Sequence, residues 1–576
     1  MATIRKIEIL NFRGIQSLVW HPQPGLNCLI GPGDGGKSTI LDAIDLCVGA
    51  RRTAQFTDAD FHALKVGAPI DISITLGDLA PPLMSVETYG IYLRGFDKDK
   101  MEIHDEPTVG LETVITLNLR VESDLEPVWS LQSDRAAAAG QSRNLLWSDR
   151  VDLAPVRIGA LSDHNLSWRR GSILNKLSDE TADASTALLA AAREARKVFG
   201  KDADKNLTKA LDIVTTVAGE LGIDVGAKAR AELEAHAVSV TAGTISLHDE
   251  VGVPLKKLGI GSSRLMISGL QQRNASKSSL LLVDELEHGL EPHRIIRFLG
   301  NLGAKNKDSK LQVFVTSHSP IAVRELAVGQ LFIVRKIAGG HHVLWAGDHP
   351  DLQGTLRVHP EAFLARSVLV CEGASEIGLV RGVDQYLSDA GKKSMHAEGT
   401  CLVDAGGYKK IMSRAQAFQR MGYRTATFRD DDYRPEEVEE TAFEALDGRI
   451  FKWREGKKLE VELFESLPVK AVEILLYRSL EDRSEQEVDS QLRSYSDNKV
   501  TLEVVRKEIG KGELSAASRF ALGNAAGGNK EGKKSWFKTV SDMEEIGRDV
   551  IVPYWAESDQ DFRKIVKALR DWTING

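Results

Sequence analysis

Cysteine is scarce in this 576-residue chain: Cys28, Cys47, Cys371 and Cys401 are scattered and form no CxxC pair. A structural zinc site is therefore not expected. A chain this long buries enough core to need no disulfides, and a reduced, cytosolic interior is the expectation. Long hydrophobic runs are missing too. No segment has the roughly 20 uninterrupted apolar residues of a membrane helix. The opening MATIRKIEIL carries neither a long apolar stretch nor a small-residue cleavage site, so no membrane partner is expected. Net positive charge is absent as well. With 74 basic and 82 acidic residues the chain stands at -8, which gives no global pull toward nucleic acid. Any DNA contact must come from local basic patches, or from metal ions that neutralise carboxylates. No internal repeat is found. What remains, 42% hydrophobic and 27% charged residues, is the composition of a soluble globular protein. Its length suits roughly three or four ordinary domains.

Apolar alternation predicts strands at Ile4–Asn11 and Leu26–Ile30, then at Ile70–Leu76 and Thr113–Val121, with a helix over Thr39–Val48. Between about Ser178 and Ala237 the chain is rich in Ala, Leu, Lys and Glu at helical spacing, which predicts two or three long helices. Their apolar face packs either on its own domain or on a second copy. Strands resume at Ser278–Val283, Gln312–Val315 and Leu331–Arg335. Ala346–Pro360 reads as a linker. Strands at Ser367–Cys371, Thr400–Val403 and Arg424–Phe428 alternate with helical patterns, which predicts a parallel sheet. The last hundred residues are more polar and mixed, and GNAAGGNKEGKKSWFK reads as a loop.

Four patterns carry nucleotide chemistry. Gly31-Pro-Gly33-Asp-Gly35-Gly36-Lys37-Ser38 matches GxxxxGK[ST] between a strand and a helix that continues through Thr39. Its glycines let backbone N–H groups curl around phosphates, Lys37 adds positive charge, and the Ser38 hydroxyl can ligate magnesium. Leu280–Glu285 is an apolar strand ending in two carboxylates. Asp284 suits a magnesium shell, and Glu285 suits the attacking water. Val313–His318 is a strand ending in a histidine placed to sense a terminal phosphate. Gly259-Ile-Gly261-Ser262-Ser263-Arg264 is a glycine–serine turn opening a helix, where N–H groups can meet an anion. Each pattern alone has an ordinary structural explanation; the four together point to ATP.

These residues resemble the ABC-type ATPases of the SMC and RecF group. Asn11-Phe12-Arg13-Gly14 near the start strengthens the likeness, and the resemblance implies that Arg13 touches nucleotide. Asp284-Glu-Leu-Glu287-His-Gly-Leu290-Glu-Pro292 resembles the family's DEPExxLHP run, with Leu for the first Pro and Glu291 for the His. In such ATPases the signature turn (here Gly259, Gly261 and Ser262) acts from a second subunit. A dimer is therefore implied, and a tetramer is equally compatible. The long gap between Lys37 and Asp284 exceeds what a compact phosphate-loop fold needs, so something is inserted there, and the helical segment fits it.

A second constellation follows. Val368–Cys371 leads into Glu372-Gly-Ala-Ser-Glu376, and Ala426–Arg429 leads into Asp430-Asp431-Asp432. Carboxylates at the carboxyl ends of neighbouring parallel strands converge in one crevice. Oxygen ligands so arranged suit Mg2+ or Mn2+, and two such ions suit phosphodiester cleavage. The alternative is a set of acidic turns on a solvated surface.

The E-G-x-x-E and D-x-D pair resembles the Toprim domain over roughly residues 364–480. An SMC-like ATPase followed by Toprim resembles the OLD (overcoming lysogenization defect) nucleases, a group that includes the nuclease of the Gabija anti-phage system. The resemblance implies Glu372, Glu376, Asp430 and Asp432 as metal ligands, with Asp404 and Glu460 as further candidates. It also implies a C-terminal lysine, Lys534 or Lys538, at the reacting phosphate.

The resulting expectation is an α/β protein. An ABC-type ATPase spans 1–160 and 241–348, around a helical dimerisation insert at 161–240. A Rossmann-like Toprim domain with a C-terminal extension occupies 362–576. The implied activity is ATP-binding, metal-dependent DNA cleavage, in anti-phage defence or DNA processing, with a helicase-like or other defence-system partner. The competing reading is a repair or signalling ATPase like SMC and RecF, with an inert Toprim-like domain. A topoisomerase or primase would need a breakage domain with a tyrosine nucleophile, and a transporter ATPase would leave the C-terminal half without purpose.

Overall fold

The computed structural model of the chain describes residues 2–159, 163–166, 172–174, 190–191, 194, 198, 207–220, 227–228, 247–273, 279–305, 311–337, 340–347, 350–528 and 535–575. Two compact units emerge. The first is Met1–Leu29, Gly36–Ala322 and Lys336–His342; the second is Ile30–Gly35, Val323–Arg335 and Val343–Gly576.

The chain opens with β1 (Thr3–Phe12), β2 (Ile15–Trp20) and β3 (Leu26–Ile30). It continues through β4 (Ile70–Gly77), β5 (Leu93–Asp97), β6 (Glu102–His104), β7 (Glu112–Val121) and β8 (Pro127–Gln132). All of these except β3 form one antiparallel sheet, in the order β2-β1-β4-β7-β5-β6 with β8 also on β7. The helix Lys37–Val48 lies against it, with the Cys47 thiol on the Ile72 and Leu117 carbonyls. β9 (Val156–Ile158), β10 (Leu280–Val283) and β11 (Gln312–Thr316) pair in parallel with β3, in the order β3-β11-β10-β9. The strands β3, β10 and β11 are buried at every residue. That is why they read as continuous apolar runs rather than alternating ones. β12 (Leu331–Ile337) and β13 (Gly340–Trp345) follow.

The second unit holds a parallel sheet of β14 (Ser367–Cys371), β15 (Thr400–Asp404), β16 (Arg424–Arg429) and β17 (Arg449–Lys452), in the order β15-β14-β16-β17. Its largely aliphatic core holds a group of packed aromatic rings. Trp453 stacks on Phe562 at 5.6 Å and meets Phe428 edge-on at 5.2 Å. The helix Ala374–Asp389 touches the helix Val540–Ile546 almost backbone to backbone. A Cβ on Gly378 or Gly382, one turn apart, would collide with the carbonyls of Val540 and Glu544.

Two expectations need correction. The segment read as a linker contains a helix, Pro350–Val358, and a 3-10 turn, Pro360–Leu364. Leu352 and Leu356 recur one turn apart and are buried, which outweighs the breaker-rich composition. The glycine-rich stretch read as a loop begins inside a helix, Ala516–Gly527. Most of the expected helical insert at 161–240 lies outside the described residues, although a helix at Thr208–Glu220 is among them.

Candidate functional sites: a nucleotide site and an acidic cleft

In the first unit, β10 ends directly at Asp284 and β11 at Thr316. The Asp284 Oδ1 accepts from the Ser38 hydroxyl at 3.0 Å and from the Thr316 hydroxyl at 2.7 Å. The Thr316 hydroxyl in turn accepts from the Glu285 amide at 2.8 Å. Lys37 is buried at the start of its helix, whose cap, Gly36, sits in the left-handed region. Gly31, which belongs to the second unit, also has positive φ, and a Cβ there would stand 2.6 Å from the Val334 carbonyl oxygen of the same unit, so only glycine fits. Gly33 is exposed, Gly35 closes a turn onto the Pro32 carbonyl at 3.1 Å, and Thr39 lies on the first helical turn.

Glu285 is exposed and held at positive φ. His318 is exposed beside it. Burial of its ring and the nearby Lys37 cation both push its pKa down, which favours a neutral imidazole. Arg13 is paired with Asp42 and, at 2.9 Å, with Asp60. In the signature turn, Gly261 presses on the Gly289 carbonyl, Ser262 accepts from Arg294 at 3.2 Å, and Gly259 is exposed just before the helix Ile260–Arg273. Arg264 is buried and donates to the carbonyls of Asp284, Glu285 and His288. It fixes the turn that presents both carboxylates.

In the second unit the parallel strands deliver acids to one end. Glu372 follows β14, Asp404 ends β15 and Asp430 follows β16. Because β15 and β16 flank β14, the three stand side by side. Glu376 comes from the first turn of Ala374–Asp389, and Glu460 from the helix Leu459–Ser466. These five acids line one cleft of about 320 Å³ together with Lys458 and Lys538. Short bonds hold the acids in place. Glu372 accepts from the Asp430 amide at 3.1 Å, Glu376 from the Gly373 amide at 2.9 Å and Asp430 from the Leu459 amide at 2.9 Å. Glu460 accepts from the Ser535 hydroxyl at 3.1 Å, and Asp404 from the Gly406 amide at 2.7 Å.

The electrostatics of the cleft are unbalanced. Burial, with Glu460 and Glu372 nearby, pushes Glu376 up to about 8. Burial, with Glu376, Glu460 and Glu372 nearby, raises Asp430 well above the usual carboxylate range. Glu372 is raised by burial and by Asp432. Burial raises Glu460 even though Ser535, Lys538 and Lys458 oppose it.

Among the described residues, no group of three or more His, Cys, Asp and Glu side chains is arranged to hold a metal ion on its own. The donors nevertheless fit a hard divalent cation that keeps part of its water and shares substrate oxygens. All are carboxylates, and burial first of all makes Glu372, Glu376, Asp430 and Glu460 hold their protons more tightly than usual.

Three acids in these motifs behave differently from the rest. Asp432 pairs with Lys458 at 3.2 Å at the edge of the cleft. Asp431 is buried at a cost that Arg434 (2.7 Å), the Gly456 amide (3.1 Å) and Lys452 (3.5 Å) more than offset, so its carboxyl lies below the usual range. Glu462 is buried on Arg454 at 2.6 Å, which leaves Glu460 as the cleft acid of its segment. Lys534 lies outside the described residues, whereas Lys538 lines the cleft. Lys458, Ser535, Thr316 and Arg157 were not anticipated from the sequence. Arg157 pairs with Asp42 at 2.6 Å and with Asp284 at 3.5 Å.

Residues 26–324, just over half of the chain, match the family described as "AAA domain, putative AbiEii toxin, Type IV TA system". The chain belongs to this AAA family. Residues 363–432 match "Overcoming lysogenization defect protein-like, TOPRIM domain", so the AAA-family domain is followed by an OLD-like Toprim domain, as the OLD resemblance implied. The chain is 36% identical over 56 residues to "DNA replication and repair protein RecF" of Moorella thermoacetica, a match that spans 10% of this chain and 15% of that protein. Among solved structures, the Smc head domain of Pyrococcus furiosus, with an extended coiled coil and bound to the C-terminal domain of ScpA, aligns at 15% identity. It covers 60% of this chain and 96% of that one, with a TM-score of 0.34. The SMC head domain from Thermotoga maritima aligns at 13% identity over 59% and 98%, with a TM-score of 0.27. Scores that low add nothing to the family assignment. No helix among the described residues of this AAA-family protein is long and apolar enough to cross a membrane.

Proposed function

We propose that this AAA-family protein is an ATP-binding, metal-dependent DNA endonuclease whose Toprim-bearing unit cuts phosphodiesters and whose ATPase domain regulates the cut. The observation that carries this reading is the cleft where Glu372, Glu376, Asp404, Asp430 and Glu460 meet Lys458 and Lys538. Those five acids would hold Mg2+ or Mn2+, with Asp432 at the edge. When bound, such ions supply an activated water and stabilise the leaving oxygen. Lys538 would balance charge developing on the phosphate, and Ser535 holds Glu460 in place. An inert domain has no use for so many buried, mutually repelling acids.

At the nucleotide site, the phosphate loop and Lys37 would bind ATP, with Ser38 and Asp284 on its magnesium, Glu285 orienting water and His318 sensing the terminal phosphate. Gly259, Gly261 and Ser262 would complete the site of a second subunit. Ile213, Val214 and Val217 stand exposed on one face of the helix Thr208–Glu220, as expected of a surface that a second copy covers. The proposal is of a dimer or tetramer in a reduced, cytoplasmic setting, with DNA and a helicase-like or other defence-system protein as partners.

The test is supercoiled plasmid incubated with Mg2+ or Mn2+, with and without ATP. Glu372→Ala is expected to lose nicking by on the order of 100-fold or more, the scale on which removing one positioned group at a reacting centre acts. Lys37→Ala is expected to lose the response to ATP. Intact plasmid with the wild-type chain under every metal and nucleotide condition would sink the reading.

A further inference from the structure

Two tyrosines beside the acidic cleft have no part in the chemistry proposed above. The rings of Tyr408 and Tyr433 stack with centroids 5.2 Å apart and planes 16° from parallel. Tyr408 follows Gly406 and Gly407, which line the cleft after β15. Tyr433 follows Asp430–Asp432 after β16, and its amide donates to Asp432 at 2.9 Å. Strands β15 and β16 lie on either side of β14. Neighbouring strands stand about 4.8 Å apart, so the tips of these two are about 10 Å apart. The stacked pair therefore reaches across the end of the strand that presents Glu372.

Neither ring serves the core. Tyr433 is 56% exposed, Tyr408 is half-buried, and neither belongs to the apolar cluster of this unit. Lys409 and Lys410, both exposed, follow Tyr408 in the first turn of the helix Tyr408–Arg420, with the Lys409 ammonium 5.9 Å from the Tyr408 ring centre. Wet aromatics beside exposed lysines are the means by which proteins hold unpaired nucleic acid: bases stack on rings, and cations track the backbone. A base inside a duplex already has both faces covered, so such a surface selects a strand whose base is free.

We infer that Tyr408 and Tyr433 form a stacking platform for an unpaired nucleobase, which seats single-stranded or frayed DNA with its phosphate at the acidic cleft and its backbone along Lys409 and Lys410. The inference rests on the nuclease reading and names its substrate class.

The probe is a single-stranded oligonucleotide carrying one 2-aminopurine, titrated into the full chain with Ca2+ in place of Mg2+ and compared with its duplex. Aminopurine fluorescence is expected to be quenched on binding. Tyr433→Ala is expected to lower the ratio of single-strand to duplex affinity by about 5- to 150-fold, the effect of losing one base–aromatic stack. Tyr433→Phe, which keeps the ring, is expected to restore it. An unchanged ratio in Tyr433→Ala, or loss of affinity in Tyr433→Phe equal to that in Tyr433→Ala, overturns the platform. Binding is read without cleavage, so the two ideas fail separately. A chain that grips the oligonucleotide through Tyr433 but cuts nothing overturns the nuclease alone. One that cuts single strands equally well with Tyr433→Ala overturns the platform alone.

Discussion

Asp284 and Asp430 both follow directly on a buried parallel strand, yet their surroundings are opposite. Asp284 accepts two hydroxyl hydrogen bonds, from Ser38 and Thr316, and has Arg157 at 3.5 Å. Asp430 accepts one backbone amide and faces Glu376, Glu460 and Glu372. The first acid is compensated by the protein itself. Among the described residues the second has no ion pair, and Lys458 and Lys538 line its cleft together with five acids. Buried charge without a partner is expensive and is answered by proton uptake or by a bound cation. The nucleotide site is therefore set for a ligand that brings its own charge balance, whereas the cleft has a standing demand for positive charge.

Three measurements can break or sharpen that contrast. The largest effect should come from pH. Glu376 binds its proton more tightly folded than unfolded, so the unfolded chain loses that proton first as pH rises. Metal-free stability should therefore be unaffected below the ordinary value of 4.5, fall as pH climbs from there, and level off above about 8. Saturating Mn2+ should restore stability and release protons within that window. A melting midpoint in chelator that rises over the same range would contradict the contrast. Next, Asp284→Ala should cost about 2–3 kcal/mol in chemical denaturation, because hydroxyl partners and Arg157 lose a charged acceptor. The smallest effect should have the opposite sign. In chelator at alkaline pH, Asp430→Asn should stabilise by on the order of 1 kcal/mol, since one repelling charge is removed. A loss of stability in that variant would show that Asp430 is compensated after all.

The strands that carry both sites were legible in the sequence because burial on both faces writes them as unbroken apolar runs. The loops after them were legible because phosphate and cation chemistry restricts residue choice. What escaped has physical reasons. Pro350–Val358 looked like a linker because Pro350, Asp351 and Gly354 mask two leucines one turn apart. Within the three consecutive aspartates, sequence had no means of separating Asp431, which turns inward onto Arg434 and Lys452. The flanking arginines at 429 and 434 were the only hint. Arg157 and Thr316 act through tertiary proximity to Asp284 and leave no local pattern. Lys458 stood two residues before Glu460, within a segment whose acids drew the attention.

The helix that supplies Glu376 has its register set by the helix Val540–Ile546, through the bare backbone of Gly378 and Gly382. The acid's position is thus fixed by residues far beyond the Toprim match that contains it. The consequence is one of portability. Residues 363–432 cannot be lifted out as a cassette, because the seam that aligns one of the acids is written elsewhere. A methyl group at Gly382 would act like a shim in that seam, tilting Glu376 without touching the cleft.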